Sequence, residues 1–497
     1  MILKVNKMIH VTDLLHFERC PYFIKNQREK QEEFQGYYHM LEPFSKTWMR
    51  YFHLEDAPCG HTGDSNNTSL ELLHKNGILV QGRFSYKNCR TRIPILKQIA
   101  DGYEAIYPYL SAFPKEKEAR MMKVNKEILA HLGISITKHK ILYLNKDYVR
   151  QDDLDLNQLF LVSDCLFNRR NNLHLSIDAC MEKETFDLDS WIEQTEALLQ
   201  NLPNHKPERN KRCTQGRRCP FYESCFDDST LPDDSIAFLT TSSKKLQALE
   251  SGIEHVSQLD PKLLEGFRLQ YAQYMASKNG LFIDHVAIKT WLEKLQEPIS
   301  YLDFEWDTFA IPPYKNMKPF DVLCFQYSLH VEDEDQNLTH LDFFNYGDCR
   351  EAFIQSLIAS VPKTGSILVY NMEGAEKLRL IQLGEQFPQY ADDLAQIYDR
   401  MIDLSKPFEC GLYYDNRMHG HYSLKNILPI FTDSVSYNQL SIKDGLNAVY
   451  AYRNFEKADE QKRSIIRQNI RTYCQMDTYA EYVVYHGLLK AVKELTI

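Results

Sequence analysis

The sequence predicts a mixed α/β protein built from several domains, and three observations support this prediction. The chain has 497 residues, whereas a single domain usually has roughly 100–200, so we expect two to four domains. Hydrophobic residues make up 43% and charged residues 25% of the chain, which excludes wholesale disorder, a fibrous protein and a multi-span membrane protein. Segments with the two-residue period of strands alternate with segments of helical period in both halves.

The N-terminal half mixes strands with helices. Periodicity predicts four elements there: strands at 78–86 and 140–145, and helices at 119–132 and 188–202. Residues 226–235 are acidic and rich in turn formers, which indicates a domain boundary. We therefore predict a first domain over residues 1–228 and a small helical connector over 229–298.

The C-terminal half has a different order of elements. The pattern predicts strands at 299–306, 321–331 and 339–346, a helix at 351–361, a strand at 366–371, and further helices ending in a long one from about Glu460. Three strands followed by a helix, a strand and more helices is the order expected of a ribonuclease-H-like α/β domain. This predicted domain covers residues 299–497.

Two carboxylates share one face of the first of these strands. Asp303 and Glu305 are two residues apart, so Leu302 and Phe304 would enter the core while both acids point the other way. Like charges at this distance repel unless a cation lies between them, and a divalent metal is the simplest compensation. The alternative is an edge strand with a solvated acidic face.

A third acid interrupts the apolar stripe of the C-terminal helix. The stripe is formed by residues spaced three or four apart: Ile466, Ile470, Tyr473, Asp477, Ala480, Val484 and Leu488. An aspartate in such a stripe is costly to bury unless it is paired or bound to a metal. Tyr473 lies one turn before Asp477 on the same face. The alternative is that Asp477 lies at the margin of the stripe and caps a neighbouring element.

A strand-to-helix junction supplies two further acids. The strand predicted at 366–371 ends at Asn371, and a helix begins near Gly374, with Glu373 and Glu376 at the junction. Either acid could serve only to stabilise the helix start.

These motifs together resemble those of DEDD-type 3′–5′ exonucleases. The Tyr473–Asp477 spacing resembles the DEDDy subclass. The segments 311–331, 401–408 and 419–431 resemble the bacterial family built around the domain of unknown function 2779, and the resemblance covers about residues 299–497. In that family the second-motif acid belongs to a Glu-Lys-x-Arg segment, which corresponds here to Glu376, with Glu373 as the alternative.

The resemblance implies phosphodiester hydrolysis assisted by two Mg²⁺ or Mn²⁺ ions, which in such sites lie about 3.5–4 Å apart. Asp303 would bridge the two ions, and Glu305 and Asp477 would each bind one. Glu376 would complete the metal site, and Tyr473 would orient or help to deprotonate the attacking water. The substrate would be single-stranded DNA or RNA.

A cysteine cluster distinguishes the N-terminal half. Cys213, Cys219 and Cys225 are evenly spaced and follow a basic stretch, and Cys20 is a distant candidate for a fourth ligand. The trio alone is consistent with zinc or iron–sulfur equally, and the alternative is three unrelated thiols.

One early and three late cysteines resemble the iron–sulfur nucleases of the PD-(D/E)XK superfamily, including RecB-like and CRISPR-adaptation exonucleases. Residues 12–21 and 139–149 resemble the opening and the closing strand of that domain. The resemblance implies that Cys20, Cys213, Cys219 and Cys225 hold a [4Fe–4S] cluster, with zinc as the alternative.

The nuclease centre of this superfamily is altered in the sequence. Pro94 takes the place of the expected Asp, and Tyr107 and Tyr109 take the places of Glu and Lys. Neither tyrosine supplies a carboxylate ligand or a lysine charge, so we expect a degenerate nuclease fold. A shifted alignment that uses Asp101 or Glu104 is the alternative.

The charge distribution suggests where nucleic acid binds. The net charge is 58 − 68 = −10, so the whole molecule does not indicate nucleic-acid binding, although a local basic surface is compatible with it. The basic stretch provides six candidate phosphate contacts: Lys206, Arg209, Lys211, Arg212, Arg217 and Arg218. Its alternative role is a solvated rim around the cysteines.

The sequence thus predicts a bacterial nuclease that acts through its C-terminal domain and binds nucleic acid through its N-terminal domain. No apolar run is long enough to cross a bilayer and no signal peptide is recognisable, so we expect a cytoplasmic protein with no membrane partner. An inactive nucleic-acid-binding scaffold is the second interpretation, and a nuclease active in its N-terminal domain is the third. The sequence identifies no protein partner.

Overall fold

A computed structural model describes residues 8–29, 38–202, 206–214, 218–240 and 242–493. The chain forms two compact units. The first contains residues 1–227 and 309–320, and the second contains residues 228–308 and 321–497. Among the described residues, no helix combines the length and the apolar character needed to cross a membrane.

The first unit has eight strands and ten helices among its described residues. The strands are β1 Ile9–His10, β2 Ile78–Tyr86, β3 Cys89–Ile99, β4 Gly102–Pro108, β5 Ile136–Leu144, β6 Phe160–Ser163, β7 Cys165–Phe167 and β8 Leu173–Ser176. The helices are α1 Val11–Phe17, α2 Pro21–Glu29, α3 Tyr38–Tyr51, α4 Asn66–Asn76, α5 Ala119–Ala130, α6 Leu156–Leu159, α7 Ile177–Glu182, α8 Leu188–Asn201, α9 Lys211–Thr214 and α10 Tyr222–Cys225.

The main sheet of the first unit has mixed strand directions. Its order is β1-β3-β4-β5-β6, with β2 paired to β3. Strands β2, β3 and β4 form an antiparallel meander, and α5 then carries the chain across to β5, which is parallel to β4. One core lies on each face of the sheet: Phe84, Ile93 and Ile141 belong to the first, and Val80 and Ile95 to the second.

The second unit has seven strands and ten helices among its described residues. The strands are β9 Leu281–Ile283, β10 Ile299–Thr308, β11 Val322–Glu332, β12 Leu338–Phe344, β13 Ser366–Val369, β14 Met401–Asp403 and β15 Tyr413–Asp415. The helices are α11 Lys245–Glu250, α12 Arg268–Asn279, α13 His285–Leu292, α14 Arg350–Ser360, α15 Glu376–Gln386, α16 Ala391–Tyr398, α17 Lys406–Glu409, α18 Leu424–Phe431, α19 Gly445–Phe455 and α20 Glu460–Lys493.

Strand β10 is central in the main sheet of the second unit, whose order is β12-β11-β10-β13-β14. It is antiparallel to β11 and parallel to β13. Leu302 and Phe304 on β10 are buried in the core, as the alternation predicts. The long helix α20 packs against β10 and β11. The interpretation of Asp303 and Glu305 as a solvated face of an edge strand is therefore wrong, because β10 is an inner strand of the sheet and Glu305 is buried.

The prediction of a mixed α/β chain with several domains and sheets is confirmed at this level. The predicted elements at 78–86, 119–132 and 188–202 correspond to β2, α5 and α8. Residues 229–298, predicted as a helical connector, fall in the second unit and contain strand β9 as well as helices. The PD-(D/E)XK-like and ribonuclease-H-like assignments stay predictions.

Candidate metal centre

Three carboxylates from two elements of the second unit meet at one point. Asp303 and Glu305 come from β10 and Asp477 from α20, and each offers a carboxylate oxygen within 4.8 Å of the other two. Glu305 and Asp477 are buried, whereas Asp303 is partly exposed. Oxygen donors this close are suited to binding one hard cation such as Mg²⁺ or Mn²⁺.

Contacts from α20 and α19 restrain the two acids of β10. The Cys474 thiol donates a hydrogen bond to the Asp303 carboxylate at 3.1 Å. Gly445, the first residue of α19, lies against Glu305, and a β-carbon added there would be 3.3 Å from a Glu305 carboxylate oxygen. The backbone of α19 therefore restricts where the Glu305 side chain can move.

Polar contacts of the neighbouring residue orient Asp477. Thr478 makes hydrogen bonds of 2.8 Å to the Ser328 hydroxyl and to the His330 ring, which attach α20 to β11. The Tyr437 hydroxyl donates a hydrogen bond to Asp477 at 2.7 Å. These bonds fix both the rotation of the helix and one oxygen of the carboxylate.

Two more glutamates extend the cluster into the interior. Glu376, at the start of α15, and Glu481, one turn after Asp477, are 2% and 1% exposed. In each, one carboxylate oxygen is buried without a hydrogen-bond partner. Burial raises the pKa of both groups well above the usual range, and the charge of Asp303 raises it further. A buried acceptor without a partner is unfavourable, so these oxygens are suited to a cation.

The structure distinguishes the two acids of the strand-to-helix junction. Glu376 faces the carboxylates, whereas Glu373 is exposed and lies 3.4 Å from Lys377. Asp403 accepts hydrogen bonds from the backbone N–H groups of Asn371 at 3.0 Å and Met372 at 3.2 Å. Asp403 thereby holds the turn that leads into α15.

The carboxylates raise one another's pKa. Burial is the main cause for Asp303, followed by the charge of Asp477, and Glu305 is affected in the same direction. Burial also raises the pKa of Asp477, to about 6, although hydrogen bonding from Tyr437 opposes the shift. Ionising all these acids without a cation is therefore unfavourable, and the donors present fit one or more divalent ions.

One cation and two tyrosines border the cluster. The Lys425 ammonium lies 5.4 Å from the centre of the Tyr437 ring and 5.1 Å from that of Tyr473. Its charge lowers the pKa of Asp303 and Asp477 relative to burial alone. Tyr473 is 5% exposed, and the pKa of its hydroxyl is raised by burial and by Asp477. That hydroxyl is therefore protonated and able to donate a hydrogen bond.

Sequence reasoning did not identify three residues of this site. Glu481 lies four residues after Asp477, and this helical spacing could have revealed it. Lys425 and Tyr437 approach the cluster through tertiary packing, for which the sequence pattern gives no signal.

The four predicted cysteines line one cavity in the first unit. Burial raises the pKa of the Cys213 and Cys225 thiols, and the charges of neighbouring cysteines, Cys20 and Cys219 among them, raise both further. The Asn26 side chain donates a hydrogen bond to the Cys225 sulfur at 3.3 Å. The backbone N–H of residue 210 approaches the Cys213 sulfur at 3.5 Å.

The sulfur spacing bears on the choice of metal. A tetrahedral zinc ion, with Zn–S bonds of about 2.3 Å, holds its sulfurs about 3.8 Å apart. In the described part of the chain, no three cysteines lie mutually within 4.8 Å. N–H groups directed at sulfur are among the features that tune iron–sulfur clusters. Four cysteine sulfurs are a ligand set that both a zinc ion and an iron–sulfur cluster accept.

Two arginines of the basic stretch pack on aromatic rings beside this cavity. The Arg218 guanidinium lies 4.0 Å from the centre of the Tyr222 ring, and that of Arg209 lies 4.8 Å from the Phe226 ring. Arg212 lines the cavity itself, and Lys206 and Lys211 are exposed. Arg217 lies outside the described residues.

The positions compared above with a nuclease centre bring no three carboxylates together among the described residues. Tyr107 is buried, and burial raises the pKa of Tyr107 and Tyr109. Glu104 pairs with Lys140 at 2.9 Å, and Asp101 is exposed in the turn between β3 and β4. Within the described residues of the first unit, no three Asp, Glu, His or Cys side chains meet at metal-ligating distance.

Comparison with known proteins gives a partial match. Residues 300–423 match the family described as Domain of unknown function (DUF2779), which is the family that the sequence motifs resemble. The match includes Asp303, Glu305 and Glu376 and ends before Lys425 and the acids of α20.

Two curated mycoplasma proteins are similar to part of the chain. They are the uncharacterized protein MG366 homolog of Mycoplasma pneumoniae, 26% identical over 228 residues, and the uncharacterized protein MG366 of Mycoplasma genitalium, 24% identical over 226 residues. Each match covers 41% of this chain and 34% of the relative, so the chain aligns with about a third of their length. No solved structure is significantly similar to the chain.

Proposed function

We propose that the second unit is a metal-dependent 3′–5′ exonuclease of the DEDDy type with a ribonuclease-H-like fold. The observation that carries the proposal is the convergence of Asp477 with Asp303 and Glu305. Asp477 is far from the other two in the sequence, yet all three offer oxygens within 4.8 Å of one another. A central strand flanked by antiparallel and parallel neighbours, with a long helix packed across it, supports the fold assignment.

The carboxylates of the cluster would bind two different metal ions. Asp303, Glu305 and Asp477 would hold one ion, and Glu376 and Glu481 supply the additional carboxylates that a second ion needs. When bound, such ions supply the charge that activates a water and stabilises the leaving 3′-oxygen.

Residues at the border of the cluster would position the water that attacks the phosphodiester. Tyr473 keeps its proton because burial raises the pKa of its hydroxyl, and it would orient the attacking water. Lys425 packs against the rings of Tyr473 and Tyr437 and would keep both in place.

We further propose that the first unit is a PD-(D/E)XK-like domain that has lost its hydrolytic centre and binds nucleic acid. The succession α4-β2-β3-β4-α5-β5, in which β5 is parallel to β4, supports the fold. The cysteine cavity would hold a [4Fe–4S] cluster. The pairing of Glu104 with Lys140 argues against activity in this unit.

The test is digestion of 5′-labelled single-stranded DNA and RNA with Mg²⁺ or Mn²⁺. We expect the wild-type chain to shorten one of them from the 3′ end, and Asp477→Asn to lower the rate by about 10³-fold. Asp393→Asn, an exposed aspartate of the same unit, is the matched control and should digest at the wild-type rate.

Two results would contradict the proposal. If Asp477→Asn shortened the labelled strands as fast as the wild type does, the proposed role of the carboxylates in hydrolysis would be wrong. A wild-type chain that digests no nucleic acid and binds no Mn²⁺ would favour the catalytically inactive scaffold.

A further inference from the structure

Three arginines of the first unit lie side by side on one face of its main sheet. Arg83 is on β2, and Arg90 and Arg92 are on β3. Arg92 is exposed, and Arg83 and Arg90 are half-buried. None of them belongs to the basic stretch near the cysteines.

The strand register places the three guanidinium groups together. Arg83 pairs directly with Arg92, so their side chains leave the same face of the sheet. Arg90 and Arg92 are two residues apart on β3 and share that face too, roughly 6.8 Å from each other along the strand. The alternate residues Cys89 and Ile93 enter the first core on the opposite face.

A histidine extends this row onto a third strand. His10 on β1 pairs in parallel with Arg90, while its neighbour Ile9 enters the core. Burial lowers the pKa of His10 and the charge of Asp13 opposes this shift, whereas the charges of Arg28, Arg90 and Arg83 lower the pKa further. The row therefore crosses the sheet from β1 through β3 to β2.

The three arginines repel one another, and the charges of Cys59 and Asp64 only partly oppose the effect on Arg83. Burial lowers the pKa of Arg83, and the charges of Arg92 and Arg90 lower it further. In the described parts of the chain, no carboxylate forms an ion pair with Arg83, Arg90 or Arg92. The buried Nε of Arg83 also has no hydrogen-bond acceptor.

Two acids whose charges reach the row, Asp64 at Arg83 and Asp13 at His10, accept hydrogen bonds from groups other than these arginines. The Asp64 carboxylate accepts a hydrogen bond of 2.6 Å from the backbone N–H of His61. The Asp13 carboxylate accepts hydrogen bonds from Arg28, at 2.5 Å, and from the His10 backbone, at 2.8 Å. A row of like charges with an unfilled buried donor is a site for an anion that comes from outside the chain.

We propose that Arg83, Arg90 and Arg92 bind consecutive phosphates of a single-stranded nucleic acid. Guanidinium groups recognise phosphate through paired, charge-assisted hydrogen bonds, and a row across three strands suits a linear polyanion. The proposal rests on the proposed function only in taking a single-stranded nucleic acid as the ligand, because the row lies in the first unit and does not use the carboxylate cluster.

The test measures binding of the full-length chain to fluorescein-labelled oligothymidylate and oligouridylate by anisotropy in EDTA, over a series of salt concentrations. We expect the triple variant Arg83→Gln, Arg90→Gln, Arg92→Gln to bind at least about tenfold more weakly at low salt. Its slope of log K against log salt should be smaller by about 2, since each lost phosphate contact removes about 0.7 for single strands.

The matched control is the triple variant Arg169→Gln, Arg170→Gln, Lys183→Gln, which removes the same charge from exposed positions of the same unit. It should keep the wild-type slope. The single variant Arg92→Gln leaves the half-buried arginines intact, so it separates lost contacts from misfolding, and its slope should fall by about 0.7.

Two outcomes would overturn the proposal. One is a triple variant that binds as the wild type does at every salt concentration. The other is an equal loss in the control triple variant, which would reduce the effect to net charge. This assay contains EDTA and measures binding only, whereas the exonuclease proposal is tested by metal-dependent digestion, so failure of the exonuclease proposal and failure of this one give different results.

Discussion

The carboxylate cluster of the second unit and the cysteine cavity of the first bring candidate metal ligands together from distant parts of the sequence in two different ways. Both join residues that are far apart in the sequence: Asp303 with Asp477, and Cys20 with Cys225. The carboxylates are hard donors in close mutual contact, and Glu376 and Glu481 have oxygens without partners. The cysteines are soft donors, more widely spaced, and two of their sulfurs receive N–H groups.

This difference separates two uses of a metal. A cluster of close carboxylates that binds a cation would act through that cation on the charges of a substrate. A metal or cluster bound by donors from the beginning and the end of one unit would hold that unit together, because metal-binding energy would then become folding energy. The comparison therefore predicts that mutations in the cavity affect stability and that mutations in the cluster affect rate.

The largest effect is expected from Cys219→Ser. Removing one ligand should release the cluster and lower the apparent Tm of the first unit by about 10 °C, while the second unit keeps its protection from hydrogen exchange. Cys410→Ser, an exposed cysteine of the second unit, is the control. The measurements are iron and zinc content after anaerobic purification and hydrogen exchange resolved by peptide.

Two results would alter the comparison. Stoichiometric zinc without iron would overturn the iron–sulfur assignment and leave the four ligands intact. If Cys219→Ser kept the metal content and the stability of the wild type, the cavity would not be a metal site.

The next effect distinguishes two glutamates that are three residues apart. Glu376→Gln should lower kcat by roughly 10²–10³-fold with KM almost unchanged, because under the proposed mechanism it removes a buried metal ligand. Glu373→Gln should stay near the wild-type rate, since that side chain is exposed and contacts Lys377. Steady-state kinetics and Mn²⁺ titration of both variants measure this, and a larger loss in Glu373→Gln would reverse the assignment.

The smallest effect is expected from Tyr473→Phe. It removes only a hydroxyl, so Mn²⁺ affinity and Tm should remain unchanged while kcat falls by about 10- to 100-fold. Tyr479→Phe, on the same helix, is the control for loss of a hydroxyl. A parallel loss of Mn²⁺ affinity in Tyr473→Phe would mean that the tyrosine supports the metal site rather than the water.

Local periodicity was sufficient for much of the second unit. The alternation around Asp303 and Glu305 predicts correctly that Leu302 and Phe304 enter the core, and helical spacing places Ile470, Tyr473 and Asp477 on one buried face. Side-chain direction within one element follows from its period alone.

Contacts between elements could not be predicted in this way. Lys425 and Tyr437 reach the carboxylates only because their segments pack against α20, and no local pattern encodes that packing. The arginine row was similarly hidden, since Arg90-x-Arg92 is a weak signal until the register places Arg83 opposite Arg92. Glu481 adjoins Ala480, and because the alanine continues the apolar stripe, the spacing pattern points to Ala480 and not to Glu481.

The length of α20 has a consequence for how the chain tolerates insertions. The helix has 34 residues and carries Tyr473, Asp477 and Glu481 on successive turns. One extra residue within this stretch would rotate everything after it by about 100°. Substitutions there remove one group at a time, whereas a single-codon insertion between Tyr473 and Asp477 would turn both acids away together and break the register of the Thr478 hydrogen bonds. The spacing of residues along this helix is thus more strictly constrained than the identity of any one of them.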